Sequence, residues 1–247
     1  MTATCRVFRR QVSLGSGEYA DAGGIGEVCT AKLHRKRGLS AQLLKDAKHI
    51  MSESGMELSF LHSAPEFFPV YEKAGYKCTV TQWSVALIDR PILVESLKEE
   101  TNCCVRLARF PDDTKTLMKG QQELSEHRFA GCVRRSESYW ENYIGKELEG
   151  SLYVYEQGNE ITGWLSVLHR GKNKIRINEF GCVDSRRQGY SVLGALLCRA
   201  MKDMAITTEP TFELLTPTFV MEEIRTSFGS QSDLRESYID WSETIMD

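Results

Sequence analysis

One stretch limits the folds open to this chain more than any other: Glu27-Val-Cys-Thr-Ala-Lys-Leu-His-Arg-Lys-Arg-Gly-Leu-Ser-Ala-Gln-Leu-Leu44. A short apolar strand runs into a basic turn with one glycine, and the turn runs into an amphipathic helix. A helix start leaves its first N–H groups without partners and carries the positive end of the helix dipole. Arg35-Lys36-Arg37-Gly38-Leu39-Ser40 therefore reads as an anion site. Gly38 lets the backbone come close, and Arg35, Lys36 and Arg37 supply a field suited to a ligand with several phosphates. Leu39, Leu43, Leu44 and Ala47 give the helix a face to pack on a sheet. The spacing predicts that helix from about Ser40 to Ser54, with Gly55 as its C′ residue. Taken alone, the window fits a solvated basic turn before an ordinary helix equally well.

The flanking segments decide what the helix connects. Cys5 to Leu14 is rich in branched and aromatic residues and reads as a strand; Gly15-Ser-Gly17 and Gly23-Gly24 are expected to break it, so that Ile25 to Thr30 is the next strand. Met56 to Leu61 is a short apolar strand after Gly55. Strand, helix and strand separated in this way form a crossover unit with parallel strands. A short helix over Phe67 to Tyr76, closed by Gly75, and an alternating strand over Thr79 to Leu87 complete the unit.

Val28-Cys-Thr30, the turn Arg35-x-x-Gly38-x-Ser40, then helix, strand and Tyr71-Glu-Lys-Ala-Gly75-Tyr76 resemble the acetyl-CoA-binding core of the GNAT N-acetyltransferases. In that family the turn reads [Q/R]-x-x-G-x-[G/A] and the later element Tyr-x-x-x-Gly-[Phe/Tyr]. The His-Arg-Lys-Arg-Gly-Leu wording is similar to the branch that includes the mycobacterial enhanced intracellular survival acetyltransferases. Ser40 departs from the usual Gly or Ala but is small, and its hydroxyl can donate to a phosphate. The resemblance implies that the backbone of Val28, Cys29 and Thr30 pairs with the pantetheine arm. It implies that N–H groups of Lys36, Arg37, Gly38, Leu39, Ser40 and Ala41 hold the pyrophosphate beside Arg35. It gives Tyr71 the role of the acid that protonates the leaving thiolate, for which a phenol with an ordinary pKa near ~10 is apt. An aromatic on the core face of a short helix is the plainer reading of Tyr71. The general base stays unassigned among Glu27, His34, Glu66 and a base acting through water. Regular alternation turns Glu27 away from Val28 and Thr30, and a bulge could re-aim it.

The second half begins again. Asn102 to Ala108 reads as a strand, a polar region around Leu117, Met118 and Leu124 as helical, and Ser136 as the N-cap of a helix with Tyr139, Trp140 and Tyr143 on its apolar side. Ser151 to Leu168 is a hairpin around Gln157-Gly158-Asn159, and Lys174 to Phe180 a further strand. Arg186-Arg-Gln-Gly189-Tyr-Ser191 then repeats Arg35-Lys-Arg-Gly38-Leu-Ser40. Phe212 to Leu215 stands as the closing strand, and only Ile224-Arg-Thr-Ser-Phe228-Gly229 stands where a Tyr-x-x-x-Gly-aromatic element is expected.

The expected fold class is therefore α/β (α+β): two tandem GNAT-like units, each a mixed, twisted sheet flanked by helices. Residues 1–90 form an acetyl-CoA-binding unit that is short at its N-terminus by the family's pattern, and residues 91–247 a second, degenerate unit. The acceptor-lining elements missing from the first unit would come from the second half or from a partner.

Composition narrows the partners. The net charge of −3 and pI near 6.0 give no global drive towards nucleic acid or anionic membrane. No apolar run approaches the ~20 residues that span a bilayer, and Met1-Thr-Ala-Thr-Cys-Arg lacks a signal-peptide core, so a cytoplasmic protein is expected. The eight cysteines form no C-x-x-C pair, and reduced, mostly buried thiols without a metal are the expectation. Two functions follow from the resemblance: an acetyl-CoA-dependent N-acetyltransferase acting on a primary amine of a small molecule or protein, or a pseudoenzyme that binds acyl-CoA or a protein partner. Self-association into a homo-oligomer is compatible with either.

Overall fold

The computed structural model describes residues 2–77, 83–88, 103–169, 174–183, 185–205, 211–217 and 235–238. The chain divides into two units, and each has its own sheet.

The first unit is built from β1 (Ala3–Gly15), β2 (Glu18–Thr30), α1 (Leu39–Glu53), β3 (Leu58–Phe60) and α2 (Phe68–Lys73). Its sheet has the order β1-β2-β3, with β1 and β2 antiparallel and β2 and β3 parallel, as a strand–helix–strand crossover requires. Gly15, Ser16 and Gly17 all take left-handed backbone angles (φ 90°, 55° and 85°) and turn β1 straight back into β2. Both helices stop in the same way. Gly55 and Gly75 are left-handed, and Met56 N–H reaches Met51 O while Tyr76 N–H reaches Tyr71 O, each at 3.0 Å.

Gly23-Gly24 does not break a strand. Both lie inside β2, because α1 crosses that face so closely that a Cβ on Gly23 would stand 1.9 Å from Met51 Sδ. The glycines are contact residues of a helix on a strand, not loop formers. Ile25, Leu44, Ala47 and Met51 form the core there, with Cys5, Val7, Val28, Tyr71 and Tyr76 packed around it.

A distant piece of chain completes this unit. Residues 125–134 cluster with it, and Val133 bridges Val12 on the outer edge of β1. Gly131 N–H donates to Ser13 O, Ser13 N–H to Cys132 O and Arg134 N–H to Gln11 O, each at 2.8 Å. Buried Glu126 accepts from the Tyr19 hydroxyl at 2.8 Å. Sequence order alone divides the chain at residue 90; the real first unit takes in a segment from far beyond it.

The second unit holds β4 (Trp83–Ile88), β5 (Cys103–Leu107), α3 (Thr114–Gln121), α4 (residues 137–148), β6 (Leu152–Gln157), β7 (Glu160–His169), β8 (Lys174–Cys182), α5 (Ser185–Asp203), β9 (Thr211–Pro217) and β10 (Arg235–Tyr238). The sheet order is β10-β4-β9-β8-β7-β6-β5, antiparallel except for the parallel pair β8 and β9. The strand expected over Thr79 to Leu87 as the close of the first unit belongs here: β4 pairs with β9 from Trp83↔Pro217 to Ile88↔Phe212. Alternation declares a pleated strand but not its partner. Residues 79–82 and the segment Ile224 to Gly229 lie outside the described residues.

Ser136 caps α4, its Oγ accepting from Tyr139 N–H at 3.3 Å. Of the three aromatics expected on its apolar side, Trp140 is buried but Tyr143 is 64% exposed, because the helix widens into a π segment over Trp140–Ile144 that turns Tyr143 outward. One face of the sheet carries Tyr155, Leu165, Val167 and Ile177 against Val192, Leu193 and Leu196 of α5. The other carries Leu152, Val154 and Trp164 against Leu117 of α3 and Trp140 and Ile144 of α4. The thiols are less buried than composition suggests: Cys29 and Cys104 are exposed, and Cys182 alone among the six cysteines whose burial is described is buried. Among the described residues no helix is long and apolar enough to cross a membrane.

Candidate active site

The basic turn is shaped by backbone angles. After Thr30 the chain makes a short 3-10 turn over Lys32–His34 and then takes left-handed angles at Lys36 (φ 60°) and Gly38 (φ 76°), on either side of Arg37. Gly38 is the N-cap of α1 and offers no side-chain acceptor. The first helical bond runs from Gln42 N–H to Gly38 O at 3.0 Å, so the N–H groups of Leu39, Ser40 and Ala41 precede it. Alternating left- and right-handed residues gather successive N–H groups into a concave anion-binding nest. Arg35, Lys36, Arg37, Gly38 and Ala41 are exposed, and Leu39 and Ser40 half-buried. Arg35 Nε donates to Thr30 O at 3.2 Å and ties the turn to the strand end; Arg37 Nη1 donates to His34 Nδ1, also at 3.2 Å.

A bulge sits on the strand that feeds the turn. The register of β1 and β2 runs Thr4↔Cys29 and then Arg6↔Gly26, so Glu27 and Val28 together oppose Cys5. Glu27 is left-handed (φ 52°), a conformation that costs a non-glycine residue roughly 1–2 kcal/mol. Ile25 faces the core, and unbroken alternation would put Glu27 there too. The extra residue shifts the phase: Glu27 is exposed and paired to Arg6 at 2.8 Å, while Val28 packs on the core under α1.

Beyond Gly24, β2 pairs with no strand on the β3 side among the described residues. Ala31 N–H donates to Thr2 O on the β1 side, so by alternation Cys29 also turns to β1, and Val28 and Thr30 turn to the open edge. Of the three residues expected along a pantetheine arm, Val28 and Thr30 have backbone groups at the open edge, and the Thr30 carbonyl also accepts from Arg35.

Tyr71 is half-buried on α2 and packs on the same core as Val28. Its ring meets that of Tyr76 edge-on, 6.3 Å between centroids, and the Tyr76 hydroxyl is 2.6 Å from Ser59 Oγ. Burial pushes the Tyr71 phenol above its ordinary value, as does neighbouring Cys5, against a hydrogen bond with Ser63. Cys5 and Ser63 are the neighbours that sequence reasoning missed, for they approach Tyr71 only through the fold. The other base candidates lie apart: His34 belongs to the basic turn, and Glu66 is exposed in the short turn before α2.

The repeat of the motif in the second unit does not repeat the turn. β8 ends at Cys182 and α5 begins at Ser185, so Arg186 to Gly189 lie inside the helix. Gly189 is buried and is not left-handed. Among the described residues the nest therefore has no counterpart there.

Residues 1–79 match the family model described as an acetyltransferase (GNAT) domain. A search of curated proteins finds no sequence match. Among solved structures, the chain is similar to a GCN5-related N-acetyltransferase from Kribbella flavida, with a TM-score of 0.68 at 16% identity over 96% of this chain and 55% of that one. A GCN5-related N-acetyltransferase from Anabaena variabilis gives a TM-score of 0.64 at 14% identity over 95% and 57%. Eis1 from Mycobacterium abscessus gives 0.55 at 12% over 87% and 53%. The chain thus has the fold of these acetyltransferases and spans little more than half the length of each.

Proposed function

We propose that this chain, whose first 79 residues match the GNAT acetyltransferase domain, moves an acetyl group from acetyl-CoA to a primary amine by direct attack. The observation that carries the reading is the nest at Lys36 to Gly38 ahead of α1, joined through Arg35 to a bulged strand with an open edge. The N–H groups of the nest and of Leu39, Ser40 and Ala41 hold the pyrophosphate, with Arg35, Lys36 and Arg37 supplying the field. The backbone of Val28 pairs with the pantetheine arm as an added strand would.

The neutral amine nitrogen attacks the thioester carbonyl, the carbon–sulfur bond breaks, the Tyr71 hydroxyl gives its proton to the departing thiolate, and the proton that the amine nitrogen loses passes to solvent, from which Tyr71 regains one. A phenol is protonated at neutral pH at its ordinary pKa, and the burial that raises Tyr71 leaves its proton in place for that transfer. We assign the cofactor to the first unit alone, since Arg186 to Gly189 are helical.

Saturating acetyl-CoA should raise the melting temperature of the unmodified chain by ligand linkage. Gly38→Val should remove that rise while leaving the fold intact: a Cβ at Gly38 meets nothing within 4 Å, so the harm is confined to a left-handed angle that valine resists. An unmoved melt in the unmodified chain would sink the cofactor assignment. A panel of peptide N-termini, lysine and polyamines then identifies the acceptor, and a shift without turnover on any of them would favour the pseudoenzyme.

A further inference from the structure

The second unit repeats the bulge of the first in different surroundings. On β7 and β8 the register runs Ser166↔Glu179 and then Val167↔Ile177, which leaves Asn178 as the extra residue. Superposing Arg186-x-x-Gly189 on Arg35-x-x-Gly38 sets Asn178-Glu179 on Glu27-Val28, so the two bulges coincide. Glu27 lies at the surface, with 55% of its side chain exposed; Glu179 is covered, at 19%.

What covers Glu179 is a cation. Arg135 Nη1 stands 2.7 Å from Glu179 Oε1, and the guanidinium carbon lies 5.7 Å from the centre of the Trp140 ring, which is buried. A carboxylate on one side and an indole face on another are the two elements by which proteins hold an organic cation. Two further groups mark the spot as polar: Ser166 Oγ, on the cross-strand partner of Glu179, and Trp140 Nε1 are buried without a hydrogen-bond partner. Packing alone does not call for such groups, since each loses its bonds to water.

We infer that the second unit contains a recognition cage for a guanidinium or primary ammonium group, built from Glu179, Trp140 and Ser166, and that the chain fills it with its own Arg135. Arg135 precedes the Ser136 cap and lies in no helix or strand, so its side chain is not fixed by an element of its own. The inference rests on the second unit alone and is independent of the cofactor assignment.

The test is chemical rescue in the full chain. Arg135→Ala leaves Glu179 covered without its cation and should lower the melting temperature; millimolar methylguanidinium or ethylammonium should restore about half of the loss or more. Methylurea, equal in shape but neutral, should restore none. In the double variant Arg135→Ala with Glu179→Gln, methylguanidinium should have no effect. Should Arg135→Ala fail to fold alone, refolding it in the presence of methylguanidinium or of methylurea gives the same comparison. No rescue by the cations, rescue by methylurea to the same extent, or rescue that persists in the double variant each overturns the cage.

Discussion

Burial and Cys5 push the Tyr71 phenol up while Ser63 pulls against them, so a group that already carries its proton at neutral pH goes on carrying it. Tyr71→Phe keeps the ring and its contact with Tyr76 but removes that proton. We expect folding and acetyl-CoA affinity nearly unchanged and a transfer rate lower by about 10²–10⁴-fold, the usual worth of general acid help. A paired melt and steady-state assay decides it, and full activity in Tyr71→Phe would return the residue to simple packing. Truncation to Ala should cost less than the roughly 3–5 kcal/mol of a fully buried aromatic, because Tyr71 is only half-buried. The residues of the turn and Tyr71 were legible because each sits in a contiguous pattern. Their neighbours were not: nothing near Tyr71 in the sequence announces Cys5, and the bulge at Glu27 exists only as a mismatch between two strands.

Elements were read well where their signals are local and poorly where a partner decides. The capping glycines, the hairpin turn and the Ser136 cap all act within a few residues, and the structure has them where their chemistry puts them. Gly23 is the opposite case, a loop residue by propensity and a helix-contact residue in the fold. Gly23→Ala adds a methyl that would stand 1.9 Å from Sδ of the buried Met51. Overpacking of this kind costs typically about 1–3 kcal/mol. Urea melts of Gly23→Ala, Met51→Ala and the double variant should give a combined loss smaller than the sum of the two singles, since Met51→Ala removes the atoms that clash. Strict additivity would show that the helix does not touch β2 at this glycine.

At the scale of the whole molecule, each unit has a condition attached to its stability. In the second, burial alone would raise the Asp113 carboxyl, but hydrogen bonds from Arg106 and from Arg109 N–H overcome it and hold the group below its ordinary value. Glu156 shares the same guanidinium. A carboxylate depressed by folding contributes stability that is fully present above its unfolded pKa, near ~3.9, and is lost as pH falls towards its folded value. The gap in melting temperature between the unmodified chain and Asp113→Asn should therefore be widest near neutrality and close below about pH 4. A gap independent of pH would assign the loss to shape and not to charge. The first unit has a different dependence, on the order in which it is made. Its sheet is finished at β1 by residues 131–134, which leave the ribosome only after the strand they cap and more than a hundred intervening positions. At ~5–20 residues per second that is a wait of about 6–23 s, during which the outer edge of β1 at Gln11 to Ser13 stands open to any extended chain nearby.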